Sequence, residues 1–208
     1  MAASGSLKII GIAGRTDSAG TAITDIDQEE LRLPIGVLGP GLLPNQQDGT
    51  PNPNGFNVRQ NTGADMNVKV GSTTTKVDAY VLRGSVAGQG SYIVRLDSAG
   101  LVVAVPAADG ALPCRYGVFL FVDDVAYSGD AARAYAGITC LRGTPNASPV
   151  TPAASAVWSA VALLWEFQLP AAAAAVTNTI LDSTSSPIDQ RTTSNLAVQN
   201  VLEIQCFS

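Results

Sequence analysis

Residues 115–122, RYGVFLFV, limit the possible folds more than any other stretch. In an extended chain Tyr116, Val118, Leu120 and Val122 fall on one face and Gly117, Phe119 and Phe121 on the other, because successive strand side chains point to opposite sides. Beyond Arg115 at its start neither face carries a charge, so the pattern predicts a strand covered on both sides. Such a strand needs pairing partners at its edges and packed layers above and below it.

The partners are legible nearby. Residues 7–13 (LKIIGIA), 67–70 (NVKV), 79–83 (AYVLR), 91–96 (SYIVRL), 101–106 (LVVAVP) and 133–141 (RAYAGITCL) are further short runs rich in β-branched and aromatic residues. The separators VAGQG, DSAG, ADGALP and YSGDA supply the turn-forming residues that hairpins require. Short strands at this spacing predict an all-β domain, an antiparallel β-sandwich of jelly-roll type.

Residues 143–153, GTPNASPVTPA, contain Pro145, Pro149 and Pro152. Proline fixes φ, removes a backbone donor and pushes the preceding residue toward extended geometry, so this stretch reads as an extended connector carrying the chain across the domain. The segment it leads into, 156–169 (AVWSAVALLWEFQL), shows two periods at once. Val157, Val161, Leu164 and Trp165 keep helical spacing, whereas Leu163, Trp165, Phe167 and Leu169 alternate with Leu164, Glu166 and Gln168. The latter half reads as a strand. The alanine run after Pro170 favours helix, but Pro170 and the Val176-Thr177 pair leave it short.

The two ends of the chain read differently. Residues 27–33 (DQEELRL), capped by Asp25 or Asp27 and stopped by Pro34, predict a short helix. Residues 35–53 are dense in proline, glycine and asparagine, which opposes regular structure while leaving Leu38, Leu42 and Leu43 to be buried. An irregular but apolar segment predicts docking on another subunit. The expected organisation is therefore an extended N-terminal docking arm over 1–48, the sandwich domain over 49–193, and a closing strand or tail over 194–208. In that tail Val198, Leu202 and Ile204 are available to a neighbour's sheet edge.

Composition excludes several functions. Only 14% of the 208 residues are charged and the net charge is −5, so the chain lacks the basic surface that phosphate binding requires, and nucleic acid is not an expected partner. It has no histidine, which removes the usual base near neutral pH and every Ser/His or Cys/His pair. Cys114, Cys140 and Cys206 match no metal spacing and read as buried free thiols, which suits assembly in a reducing cytoplasm. The N-terminus has neither the basic start nor the long apolar core of a secretion signal, and Glu166 and Pro170 interrupt the only other long apolar stretch, so no membrane segment is expected. Asp123 and Asp124, with Asp130, read as a structural turn rather than a cation site. Asp189 and Arg191 share a face if extended and could pair at a subunit contact. Asn146-Ala147-Ser148 has the form of a glycosylation sequon but is followed by Pro149. No phosphate-binding loop, nucleophile elbow or pair of catalytic carboxylates is present. No catalytic, cofactor-binding or metal-binding residue is assigned, and the chain is read as a non-enzyme.

Residues 90–94 (GSYIV), 106–109 (PAAD), 124–129 (DVAYSG), 143–149 (GTPNASP) and 189–191 (DQR) occur in that order. Their succession resembles a β-domain of tailed-bacteriophage virion proteins, the minor tail, baseplate and fibre-adaptor family, over residues 60–193. Residues 112–116 (LPCRY) keep that family's proline and arginine before the buried strand but not its acid. The resemblance implies a virion structural protein, a minor tail, tail-tip or baseplate component, assembled in the host bacterial cytoplasm. Its expected partners are copies of itself, as a homotrimer, and other virion proteins. The alternatives are a capsid decoration or head-fibre protein and, further off, a carbohydrate-binding module. The last would need Trp158 and Trp165 to line a groove, yet both sit in the most apolar stretch and read as core; a host glycan is not indicated.

Overall fold

The computed structural model describes residues 7–10, 39–43, 52–71, 78–85, 90–96, 100–124, 135–182 and 191. The strands are β1 (Leu7–Ile10), β2 (Gly41–Leu42), β3 (Val58–Gln60), β4 (Asn67–Val70), β5 (Asp78–Arg83), β6 (Ser91–Leu96), β7 (Leu101–Ala104), β8 (Cys114–Asp123), β9 (Tyr135–Arg142) and β10 (Ala160–Leu169), followed by a short helix α1 (Asn178–Leu181). They form three sheets, ordered β1-β6-β5-β2, β10-β8-β9 and β3-β4-β7, and every pairing is antiparallel. The all-β antiparallel architecture expected from the spacing of the short runs is what forms.

One core serves all three sheets. Tyr116, Val118, Leu120 and Val122 of β8 meet Ile138 and Cys140 of β9, Tyr92, Val94 and Leu96 of β6, and Val68 and Val70 of β4. Burying each such aliphatic side chain contributes about 1.5–3 kcal/mol. The second face of β8 is also covered, as its sequence requires: Phe119 and Phe121 are 3% and 2% exposed. The two larger sheets meet where Gly84, after β5, bridges Ala160 at the start of β10. Beside that bridge the Ser85 N–H donates to the Ser159 carbonyl at 2.8 Å.

The doubled period of β10 has a structural cause. A bulge between Leu163 and Trp165 shifts the register against β8, so Leu164 and Trp165 both turn into the core while Leu163 stays opposite Phe119. Leu163 therefore does not share a face with Trp165, as strict alternation would have it; one extra residue reverses the alternation. The alanine run forms no helix. Ala172 takes a positive φ of 55°, and the helix starts only after Thr177, whose hydroxyl oxygen accepts the Ile180 N–H at 3.4 Å. Strand β3, too short to show a period, was not legible in the sequence.

The described part of residues 1–48 packs against its own chain. β1 pairs with β6 and β2 with β5, closing the two edges of one sheet. Leu42 joins the main core and Leu43 packs with Ala79, Val81 and Ile93; the Leu43 N–H donates to the Ala79 carbonyl at 2.9 Å. Both leucines were expected on a surface awaiting another subunit. Their apolar area is instead buried within the chain, because a two-residue strand suffices to lay them on β5. Leu38, the expected helix at 27–33, and Val198, Leu202 and Ile204 of the expected closing strand lie outside the described residues.

A polar corner fixes the entry to the domain. Asp78 is fully buried and accepts hydrogen bonds from Asn52 Nδ2 at 2.8 Å and from the Phe56 N–H at 2.9 Å. These bonds hold Phe56 at φ 52°, an unfavourable region for a bulky side chain, while its ring packs edge-on against Tyr80. Burial lowers the pKa of the Arg59 guanidinium and Asp78 nearby opposes that shift; the guanidinium donates to the Gly71 carbonyl. Gly71 itself has φ 121°, and a Cβ there would lie 2.8 Å from Leu96 Cδ2.

Candidate functional site

β9 and β10 lie on opposite edges of β8, so the chain between them must cross the end of that sheet. The proline-bearing connector makes the crossing without regular structure over residues 143–155. Two backbone bonds anchor it: the Gly143 N–H donates to the Arg115 carbonyl at 2.7 Å and the Asn146 N–H to the Pro113 carbonyl at 3.1 Å. A Cβ on Gly143 would sit 2.4 Å from the Val150 carbonyl oxygen, so only glycine lets the connector double back there. Asn146 Oδ1 accepts the Ser148 N–H at 3.0 Å, so the residue of the apparent sequon closes an Asx turn.

The β7–β8 loop, residues 105–113, lies against the connector. Asp109 accepts the N–H groups of Ala111 and Leu112, each at 2.9 Å. Those two bonds, with Arg142 nearby, hold its carboxyl below the usual carboxylate range. The Ala107 carbonyl accepts from the Tyr116 hydroxyl at 3.2 Å and from Arg142 Nη1 at 2.8 Å. Burial, with Cys114 alongside, pushes the Tyr116 phenol up to about 12. The turn after β10 joins the same end, where the Ala172 N–H donates to the Asp109 carbonyl at 2.6 Å.

Three loops thus form one platform, tied together by backbone and by Asp109. Across 105–113, 143–155 and 170–177 the single ionisable side chain is Asp109, and the adjacent Arg142, itself exposed, donates to the Ala107 carbonyl. Val150 and Leu112 stand out from this surface at 70% and 42% exposed. Neither residue was singled out from the sequence. No sequence signal marks them, because the bond between the two loops, from the Asn146 N–H to the Pro113 carbonyl, joins residues distant in the chain.

The other candidates resolve into internal structure. Asp123 and Asp124 are each 3% exposed; Asp124 Oδ2 accepts the Tyr92 hydroxyl at 2.9 Å, and the Asp124 N–H donates to Ser159 Oγ at 2.8 Å. Asp123 is the last residue of β8; Asp130 and the rest of the turn expected after it lie outside the described residues. Arg191 lies 5.4 Å from the centre of the Trp165 ring and donates to the Gly55 carbonyl at 2.6 Å, tying the C-terminal segment to the entry corner; Asp189 is not described. Trp165 is a core residue that donates to the Leu181 carbonyl at 3.3 Å. Trp158 stacks on Phe121 at 4.4 Å. Cys114 and Cys140 are buried free thiols, and burial pushes the Cys140 thiol up; Cys206 is not described. Among the described residues no three Asp, Glu or Cys side chains gather as metal ligands would, and no helix is long and apolar enough to cross a membrane.

A cleft between β5 and β10 is lined by Pro40, Tyr80, Leu82, Arg83, Val161 and Leu163. Arg83 is its one charged group, so it lacks the convergent polar groups that orient a small ligand. Compared with protein-family models, curated proteins and solved structures, the chain matches none.

Proposed function

We propose that this chain is a structural protein of a tailed-bacteriophage particle, a tail-tip or baseplate component that works by packing against other subunits. The observation that supports this reading is the platform formed by the β7–β8 loop, the connector and the turn after β10. Interface cores are depleted of charge, and this surface bears one acid, already committed to Ala111 and Leu112. Its backbone is fixed by proline and by cross-loop hydrogen bonds, so little conformational freedom remains to be lost on contact. The order of short motifs that resembles phage tail and baseplate proteins supports the particle in this reading, and the platform supports the surface.

The test is incorporation. Particles made with the wild-type chain should carry it on the tail when they are fractionated and labelled. The double substitution Leu112→Asp with Val150→Asp should leave the chain folded and lower its incorporation at least roughly tenfold, because burying two unpaired carboxylates costs more than the 1.4 kcal/mol that a factor of ten requires. A chain found free in the lysate, or on the head shell, would overturn the assignment.

A further inference from the structure

We infer that the gap between β5 and β10 is a strand-addition site, filled by the chain's own residues 192–198 (TTSNLAV) laid antiparallel along β10. The two walls separate from a single point. Gly84 bridges Ala160, and beyond that bridge the strands diverge, with Val81, Leu82 and Arg83 on one side of the cleft and Val161, Ala162 and Leu163 on the other. Among the described residues no strand pairs beyond Ala160 with the edge of β10 that faces away from β8. Leu164 and Trp165 within that edge are 0% and 7% exposed, and buried backbone groups need partners.

Arg191 selects the occupant, because it sits at the wide end of the same gap and touches both walls. Its guanidinium lies 5.4 Å from the centre of the Trp165 ring on β10 and donates to the Gly55 carbonyl at 2.6 Å. Gly55 in turn lies against Leu42, whose Cδ2 would be 3.2 Å from a Cβ there, and Leu42 is paired with Tyr80 of β5. The chain therefore leaves Arg191 inside the gap. From Trp165 back to Ala160 is five strand rises, about 17 Å, a distance that residues 192–198 span when extended. An unrelated peptide lacks this advantage, since a segment tethered at the mouth of its site competes at a millimolar effective concentration. Filling the gap also removes a template on which copies could pair edge to edge, which leaves contact between subunits to other surfaces such as the loop platform.

Disulfide trapping in the full chain tests the occupant. With Cys206→Ser removing the other thiol of the C-terminal segment, Val161→Cys and Asn195→Cys should close an intrachain bond in oxidised glutathione, read as a monomer that reopens with reductant. Thr139→Cys, on β9 at the far edge of the sheet, should not bond to the same Asn195→Cys. Hydrogen exchange tests the pairing. Asn195→Pro with Leu196→Pro removes two consecutive N–H groups, one of which faces β10 in any register. The amides of residues 161–163 that point away from β8 should then exchange at least roughly tenfold faster, with the far-ultraviolet circular dichroism unchanged. Bonds formed only between chains would give the site to a second copy's segment and overturn the inference. So would equal trapping at Thr139→Cys, or exchange that the prolines leave unchanged. None of these outcomes bears on the structural role proposed above, which particle incorporation decides by itself.

Discussion

On the inner face of β8, Tyr116, Val118, Leu120 and Val122 interlock with branched side chains from neighbouring strands, whereas on the outer face two phenylalanine rings lie flat over glycines. A Cβ on Gly137, directly opposite Phe121 in register, would fall 2.5 Å from the Phe121 ring, and one on Gly117 would fall 2.6 Å from the Phe119 ring. Trp158 closes the stack from above, 4.4 Å from Phe121 and 5.9 Å from Phe119. The same ten-residue strand thus reaches full burial by two routes. Inside, many medium-sized side chains share the work and each loss leaves a void. Outside, a few large rings need the absence of neighbouring side chains, and burial depends on the end of the connector where Trp158 sits.

The largest expected effect breaks the inner face. Leu120→Ala, at a fully buried position, should lower unfolding free energy by about 2–5 kcal/mol in a denaturant titration, the range for a leucine cavity in a packed core. A loss under about 1 kcal/mol would show that the sheets around β8 collapse into the gap.

Next comes the outer face from below. Gly137→Ala adds a single methyl that must displace the Phe121 ring, at a cost of about 1–3 kcal/mol for overpacking. Combining it with Phe121→Leu should cost less than the sum of the two, since the smaller side chain vacates the space; strict additivity would mean that ring and glycine are not coupled.

Trp158→Ala attacks the outer face from above and should cost less, because Trp158 is only half-buried. Ring stacking of this kind is worth about 0.5–1.5 kcal/mol beyond the area covered. The near-ultraviolet circular dichroism of Phe121 and Tyr135, which pack edge to face at 5.8 Å, should change while the far-ultraviolet spectrum holds.

The smallest effects separate the two ends of the pH scale. Asp109 has its carboxyl pKa lowered by folding, so its contribution is present above the unfolded value of about 3.9 and is lost as pH falls through the lower folded value. Tyr116 has its pKa raised to about 12, so its contribution is present below the unfolded value of about 10 and is lost as pH rises through the folded one. Asp109→Asn should flatten the acid limb of a stability–pH curve and Tyr116→Phe the alkaline limb. A variant that flattened the opposite limb would show the assignment to be misplaced.

The sequence by itself determined the strands. Alternation in NVKV and SYIVRL, the two apolar faces of RYGVFLFV and the turn residues between the runs placed β4, β6 and β8 with errors of at most a residue at their ends, because side-chain period is a local property of the chain. The connector was equally legible, since proline acts on its own backbone. What only the tertiary structure decided is where side chains met partners from far along the chain. Leu42 and Leu43 read as arm residues because nothing local says that a two-residue strand lands on β5. The doubled period of β10 is a bulge that depends on register with β8. The platform joins Asp109 to Ala172 and Pro113 to Asn146 through bonds between backbone groups whose capacity to pair is the same at nearly every residue, so no residue type announces them. Periodicity is written in consecutive residues; contact between distant loops is set by which strands pair, and that depends on the whole core closing at once.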